Sequence, residues 1–313
     1  MNLTLKQMRY VTAVLHKGSI ARAAQGLNIS QSSIVAAIDQ IEAELGQQLF
    51  RRIPARGLVA TDLGASVGAR LEAFLDEARV LESDLLSMTG RPAGVLRMGC
   101  YAPTAPHVLP TILKAIRADF PDIRIELKEG DMHRINQMLA EGEVDVALTY
   151  RRETPEKQPF EAMFRAPPWA LLPWPSPLAE HGTVSLEELS RLPMILLDLP
   201  GTRRYFKGLF ENAGLGVDVA HTTKSSLVLR GLVGAGFGFS LLNICGVQDR
   251  DGSSGYIARP IRGEIDSPRF GVAYTAASAK SALVQSVLST CREIAQRGAF
   301  ASLLLAEPES TTK

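Results

Sequence analysis

Between residues 94 and 150 the sequence alternates short apolar segments with longer helical ones, and this order constrains the fold more than any other feature. The strand-like segments are VLRMG, IRIEL and VDVALTY, separated by helical segments from about Pro106 to Phe120 and from about Met132 to Glu141. A βαβαβ order predicts a parallel sheet with helices on both faces. A similar succession from about residue 165 predicts a second lobe of the same α/β architecture.

The end of the chain contains one more strand-like segment, RFGVAYT, and a helical segment from about Lys280 to Arg297. We expect both to return to the first lobe, because two lobes that share a hinge require a second crossing of the chain. Lobe I then comprises about 91–163 and 267–300, and lobe II about 164–266. Residues 301–313 are expected to form a frayed tail.

The cleft between the two lobes is the candidate ligand site, because ligands of such folds bind where strands end and helices begin. Helices predicted to begin after Thr104 and at Thr202 would direct free N–H groups at the ligand, and Arg203 would add positive charge. Ordinary surface solvation is the alternative for the arginine. The pattern favours a small organic acid with an apolar or aromatic body. The candidate effector-binding residues are Tyr101, Pro103, Thr104, Met132, Thr149, Pro200, Thr202, Arg203 and Phe237.

No catalytic arrangement is recognisable in the sequence. The glycine-rich GAGFG at 234–238 follows a predicted helix and precedes a strand, the reverse of the order in a dinucleotide-binding motif. The five histidines show no metal-binding spacing, and no nucleophile-elbow motif is present. We therefore expect no cofactor, no metal and no enzymatic activity. Cys100, beside the predicted cleft, is either a redox-sensing thiol or inert packing.

The first 60 residues contain closely spaced residues that are typical of helix ends. Gly18 ends a first amphipathic helix, Ser19 can cap a second, and Asn28 suits a tight left-handed turn. Ser30 can then cap a third helix, which ends at Gly46. This arrangement fits a helix-turn-helix, although a plain helical hairpin has the same spacing.

Charge is distributed unevenly along this region. Residues 1–60 contain seven basic and three acidic side chains, a net charge of +4, whereas residues 61–90 carry a net charge of −4. A basic N-terminal module indicates contact with a polyanion. Within it, RRIPARGLVAT at 51–61 combines three arginines with proline and glycine, which predicts an exposed basic wing.

A heptad pattern begins just after this wing. Apolar residues spaced by threes and fours predict a coiled-coil stem that mediates dimerisation. An amphipathic helix packed on its own domain is the alternative. The predicted seam consists of Leu63, Val67, Leu71, Phe74, Ala78, Leu81, Leu85 and, at its end, Met88.

The stretch SIARAAQGLNISQSSIVAAIDQIEAELGQQLFRR, followed by GLVATDLG, closely resembles the N-terminal region of LysR-type transcriptional regulators. The resemblance continues through FPDIRIEL, EGEVDVAL, NAGL and LVGAGFGFSLL, and so covers nearly the whole chain. The matching N-terminal positions are Ala23, Ala24, Leu27, Ser30, Gln31, Ile38, Ile41, Glu42, Leu45, Gly46, Leu49, Phe50, Arg51, Arg52, Thr61 and Gly64.

The resemblance implies a fold and a separate function for each region of the chain. An N-terminal all-α winged helix-turn-helix (1–60) would bind DNA, and a long linker helix (61–90) would form a dimer. An α/β two-lobed, periplasmic-binding-protein-like effector domain (91–300) would follow, commonly in a dimer of dimers. By the family pattern the third helix enters the major groove and the wing contacts phosphates. The DNA-binding residues are then expected to be Arg22, Gln31, Ser32, Ser33, Val35, Arg51, Arg52 and Arg56.

The chain departs from the family pattern in two places. After Gln31 the family usually has proline, a small residue, an apolar residue, serine and often a basic residue, and here SSIVA stands instead. Val35 is therefore expected to meet a thymine methyl group. Asn243 replaces the family's usual proline after a strand of the second lobe.

Composition and length fit this interpretation. With 313 residues, 46% hydrophobic and 21% charged, the chain is too rich in apolar residues for a disordered protein and has no fibrous repeat. It has no apolar segment of signal-peptide or membrane-spanning length, so we expect a cytoplasmic protein. Two other classes remain open: a small-molecule-binding protein whose helical head serves only for assembly, and an α/β enzyme.

Overall fold

The computed structural model describes residues 3–53, 57–87 and 92–305 of the chain. The chain divides into an N-terminal unit, Met1–Gly90 with Ala277–Ala282, and a C-terminal unit, Arg91–Ala276 with Leu283–Lys313. Within the described ranges, no helix has the length and apolar character needed to cross a membrane.

Local capping chemistry sets the ends of the first three helices, as predicted. The chain turns left-handed at Gly18, Asn28 and Gly46, with φ angles of 58°, 53° and 65°. The side chains of Ser19 and Ser30 accept hydrogen bonds from the backbone N–H groups three residues later, which starts the second and third helices. The helices are α1 (Leu5–Lys17), α2 (Ile20–Leu27) and α3 (Gln31–Leu45).

A two-stranded ribbon and a long helix complete the N-terminal unit. Strands β1 (Phe50–Ile53) and β2 (Gly57–Ala60) pair antiparallel, and α4 follows from Asp62 to Ser87. The ribbon matches the predicted wing, although residues 54–56 at its tip lie outside the described residues. The core of the unit is formed mainly by Tyr10, Val11, Val14, Ala23, Ala24, Ile34, Ala37, Ile38, Ile41, Leu49, Phe50 and Leu71.

Close packing between α4 and the backbone just before the ribbon requires a glycine at position 64. A Cβ atom there would lie 2.0 Å from the backbone oxygen of Leu49, whereas a Cβ at Gly26 in α2 would meet nothing within 4 Å. We expect Gly64→Ala to destabilise the N-terminal unit by about 1–3 kcal/mol. Gly26→Ala, the control, should leave it unchanged or stabilise it by about 0.4–1 kcal/mol. Hydrogen exchange of the α1–α3 amides measures the stability of this unit in both variants. Equal protection of these amides in the two variants would contradict the packing.

The first lobe of the C-terminal unit is a five-stranded sheet in the order β4-β3-β5-β12-β6. The β4-β3-β5 part is parallel, as predicted, and β12 runs antiparallel to both of its neighbours. The expected return of the last strand and helix to this lobe is thus observed. The elements are β3 (Gly94–Tyr101), α5 (Ala105–Asp119), β4 (Ile123–Gly130), α6 (Met132–Ala140), β5 (Val146–Tyr150), β6 (Phe160–Arg165), β12 (Arg269–Tyr274) and α11 (Ala282–Gln296).

The second lobe differs from the predicted repeat of the first. Strands β8 and β9 pair in parallel, but β7 lies between β10 and β11 and is antiparallel to both. An alternation of strands and helices along a sequence does not determine which strands become neighbours or in which direction they run. The elements are β7 (Trp169–Pro173), α7 (Pro177–Glu180), α8 (Leu186–Ser190), β8 (Met194–Leu197), α9 (Pro200–Asn212), β9 (Val219–Thr223), α10 (Ser226–Gly234), β10 (Ser240–Leu242) and β11 (Tyr256–Pro260).

Two boundaries also differ from expectation. The sheet of the first lobe reaches Arg165, because β6 pairs with β12 beyond the predicted limit at 163. The first residues of the predicted frayed tail are ordered, because the Cys245 N–H donates to the Leu303 carbonyl at 2.9 Å and Arg250 donates to the Ser302 carbonyl at 2.8 Å. Residues 306–313 lie outside the described residues.

Candidate functional site

The start of α3 presents polar side chains to solvent, while its other face packs into the core. Gln31, Ser32, Ser33 and Val35 are all exposed, and Ile34 between them is fully buried. The Ser30 hydroxyl lies 2.9 Å from that of Ser32 and 2.8 Å from that of Ser33. The two serines that were expected to read bases therefore also belong to the hydrogen-bond network that caps the helix.

Two of the basic residues predicted to contact DNA are exposed. Arg22 in α2 and Arg51 in β1 are exposed. The side chain of Arg52 and the whole of Arg56 lie outside the described residues, so their expected phosphate contacts stay predictions.

The predicted seam of α4 divides into two parts. Leu71 is only 8% exposed, and Leu63 and Val67 pack against the same core of the N-terminal unit. The following seam residues are free of that core: Phe74, Leu81 and Leu85 are 50%, 60% and 56% exposed. Ala78 is half-buried, and Met88 lies outside the described residues. The first part of the seam thus matches the alternative of a helix packed on its own domain, and the second part stays available to a partner.

A cavity lies between the two lobes of the C-terminal unit. It is small and partly open to solvent. Four of the residues predicted for effector binding line it: Tyr101, Pro103, Thr104 and Thr202. Eight more residues line it that were not among the nine candidates, although the first two belong to a segment, 149–152, that the sequence places at the cleft: Tyr150, Arg152, Leu197, Phe206, Arg230, Leu242, Asn243 and Ile244.

The other five predicted residues lie elsewhere. Met132 and Thr149 are buried, and neither lines the cavity. Pro200 is exposed at the start of α9, two residues before the predicted helix start. Phe237 is half-exposed and packs edge-to-face against His221. Arg203 is exposed and forms an ion pair with Asp198, so its charge is compensated outside the cavity.

One hydrogen bond across the cavity joins the two lobes. The hydroxyls of Tyr101 in the first lobe and Thr202 in the second are 2.6 Å apart. Asn243, the residue that replaces the family's usual proline, donates from Nδ2 to the Ala166 carbonyl at 2.8 Å. Burial raises the pKa of Tyr101 to about 12 and also raises the pKa of Tyr150. Both phenols are therefore neutral at physiological pH.

Two arginines contribute to the cavity wall, in different electrostatic situations. Arg230 in α10 is buried and forms a two-pronged ion pair with buried Asp249, with Nε–Oδ1 and Nη2–Oδ2 distances of 2.7 and 2.9 Å. The Arg152 guanidinium lies close to two aromatic rings, with its central carbon 4.5 Å from the ring centre of Tyr150 and 4.1 Å from that of Tyr205. Among the described residues, nothing accepts a hydrogen bond from its buried Nε and Nη1 atoms.

The three cysteines are buried. Burial raises the pKa of the Cys100, Cys245 and Cys291 thiols to about 12. A reactive cysteine requires an accessible thiolate, which these surroundings disfavour. The inert alternative for Cys100 therefore fits the structure better than a redox sensor. Within the described ranges no group of three or more His, Cys, Asp and Glu residues is placed to hold a metal ion.

Comparison with known proteins agrees with both units. The family model described as a bacterial regulatory helix-turn-helix protein of the lysR family matches residues 5–65, and the LysR substrate binding domain matches residues 89–296. The regulator YnfL of Escherichia coli is 29% identical over 254 residues, which span 77% of this chain and 82% of the relative.

Solved structures of regulators share the fold. HinK, a LysR family transcriptional regulator from Pseudomonas aeruginosa, is 29% identical, with a TM-score of 0.61 over 93% of this chain and 98% of that one. A full-length point variant of OxyR from the same organism has a TM-score of 0.67 over 93% of this chain and 98% of its own, but at 21% identity this similarity concerns the fold alone. The family models together account for the helical unit and for both lobes, and the chain is therefore a member of the LysR family of DNA-binding transcriptional regulators.

Proposed function

We propose that this regulator binds its operator as a dimer, in the cytoplasm, and that a small molecule in the interlobe cavity changes its occupancy of DNA. The observation that carries the proposal is the cavity itself, which takes its walls from both lobes. A ligand there contacts both lobes at once, so its affinity depends on their relative position. Such a ligand shifts the population of lobe arrangements by the difference between its affinities for them. The cavity then acts by binding, without catalysis.

Sequence readout is assigned to the exposed start of α3. Gln31 is the candidate for hydrogen bonds to base edges, since its amide can donate and accept. Val35, 39% exposed on the same helix, offers an apolar contact to a thymine methyl group. We assign phosphate contacts to Arg22 and to the arginines of the wing, because their charge attracts DNA of any sequence.

Dimerisation is assigned to the second half of α4. Phe74, Leu81 and Leu85 leave large apolar side chains exposed on one helix, and neighbouring copies would bury them. Pairing two N-terminal units presents two copies of α3 to DNA, which suits an operator with two half-sites. A dimer of dimers is the expected larger assembly.

The wing assignment makes a quantitative prediction about salt. Arg51→Ala should weaken binding to specific and non-specific DNA alike and make the slope of log affinity against log salt shallower by about 0.9. Gln31→Ala, the matched control, should leave the slope unchanged and cost about 1–3 kcal/mol of discrimination at particular base pairs. Fluorescence anisotropy over a salt series measures both quantities. An unchanged slope for Arg51→Ala would show that Arg51 contacts no phosphate.

A further inference from the structure

The Arg152 guanidinium has no carboxylate partner among the described residues that line the cavity. Arg152 is the second residue after β5 and lines the cavity, where its Nε and Nη1 atoms are buried and no described residue accepts a hydrogen bond from them. Buried N–H groups without an acceptor are unfavourable, because they lose hydration and gain nothing in return. The contrast with Arg230 is direct, since Asp249 binds that guanidinium on two atoms.

The surroundings of Arg152 hold the guanidinium in place without neutralising it. Tyr150 and Tyr205 both contact the guanidinium through cation–π interactions, which do not use its N–H groups. The Tyr205 hydroxyl is itself fixed, because it donates to the Asp266 carbonyl at 2.6 Å. Among the described residues that line the cavity there is no Asp or Glu to pair with the cation. The arrangement is a rigid, planar, positively charged donor that faces a small space.

We infer that Arg152 is the anion-recognition residue of the cavity and that the effector is a small organic carboxylate, bound through the edge of this guanidinium. A carboxylate matches the fork of N–H donors in geometry and charge. The remaining wall is largely apolar, with Leu197, Phe206 and Leu242 among its residues, so the body of the ligand is expected to be aromatic or aliphatic. This inference rests on the proposed function, and it assigns to Arg152 the role that the sequence assigned to Arg203.

The position of Arg152 also relates the ligand to both lobes. Tyr150 belongs to the first lobe and Tyr205, on α9, to the second, and both contact the same guanidinium. A carboxylate at Arg152 therefore binds at a point where the lobes meet. Its affinity depends on the relative position of the lobes, as a switching ligand requires.

The test compares charged ligands with neutral ligands of the same shape on the full-length protein. Both tryptophans, Trp169 and Trp174, lie in the C-terminal unit, so intrinsic fluorescence reports melting of the unit that contains the cavity. Benzoate and hexanoate at millimolar concentration are expected to raise its melting temperature. Benzamide, hexanamide and inorganic phosphate are expected to leave it unchanged.

Three variants locate the anion site. Arg152→Gln should weaken carboxylate binding by about ten- to a hundredfold, the loss expected for a charged hydrogen bond. Arg152→Lys should retain part of the affinity, because it keeps the charge but not the planar fork. Arg203→Gln, the control, should bind carboxylates as the unmodified protein does. If Arg152→Gln does not fold, NMR of the arginine Nε–H groups gives a second measurement. The Arg152 resonance is identified by its absence from the spectrum of Arg152→Lys, and benzoate should shift this resonance.

Four results would overturn the inference: equal stabilisation by amides, stabilisation by phosphate alone, undiminished carboxylate binding by Arg152→Gln, or no response to either carboxylate. A neutral ligand that binds in the cavity and changes operator affinity would overturn the carboxylate assignment alone and leave the proposed function in place. Carboxylate binding through Arg152 without any effect on DNA affinity would support the assignment and contradict the proposed function.

Discussion

Leu71→Asp is expected to unfold the N-terminal unit, with a loss of about 3–5 kcal/mol of stability. Leu71 is part of the core of this unit, so the substitution removes a buried apolar side chain and places a carboxylate among apolar neighbours. The far-UV circular dichroism of the helices should fall, while the fluorescence of Trp169 and Trp174 in the C-terminal unit should stay unchanged. A folded Leu71→Asp protein with unchanged helix content would contradict this packing.

Leu81→Asp provides the matched comparison ten residues further along α4. Its side chain is 60% exposed, so the unit should remain folded, whereas a dimer that buries this position should dissociate along α4. A cysteine introduced at exposed Leu85 measures this, because it should form an intermolecular disulfide in the parent protein and not in Leu81→Asp. The native cysteines are buried and do not compete. Equal crosslinking in both proteins would place the dimer contact elsewhere.

Asp249→Asn is expected to destabilise the C-terminal unit by about 3–5 kcal/mol, because it leaves the Arg230 guanidinium buried without a counterion. Glu161→Gln is the control. Arg292 also binds Glu161 through its Nε and Nη2 atoms, with nitrogen–oxygen distances of 3.0 and 2.9 Å. This second ion pair, however, lies at the surface. Its loss should cost less than about 1 kcal/mol. Urea unfolding followed by tryptophan fluorescence measures both variants, and similar losses would show that burial does not distinguish the two pairs.

Local chemistry explains what the sequence predicted well. Gly18, Ser19, Asn28 and Ser30 act on the backbone within a few residues, so their effect on helix ends can be recognised without knowledge of the rest of the fold. The parallel strands of the first lobe were also predictable, because the helices between them require crossover connections. The sequence analysis did not predict strands β6 and β11. Each pairs with a strand that is distant in the sequence, and their order along the chain does not indicate such pairing.

Side-chain direction explains the errors at the cavity. The chain contains an arginine pair at 151–152 and another at 203–204, each beside a predicted ligand-binding segment. Arg152 enters the cavity, whereas Arg203 pairs with Asp198 at the surface. The choice between these two depends on which neighbours each side chain finds after the lobes have packed. The heptad pattern of α4 likewise does not show what its apolar side chains pack against. A helix that packs on the core of its own chain and a helix that packs on a partner helix require the same apolar spacing.

A ligand in the cavity is expected to change the affinity of the protein for its operator. The most direct test is fluorescence anisotropy of the full-length protein on DNA from upstream of its own coding sequence, with unrelated DNA as control, with and without benzoate or hexanoate. We expect preferential binding to the upstream DNA and a change in affinity of at least several-fold on addition of carboxylate, and we expect Arg152→Gln to lose this change. Equal affinity for both DNAs, or an affinity that no cavity ligand alters, would contradict this expectation.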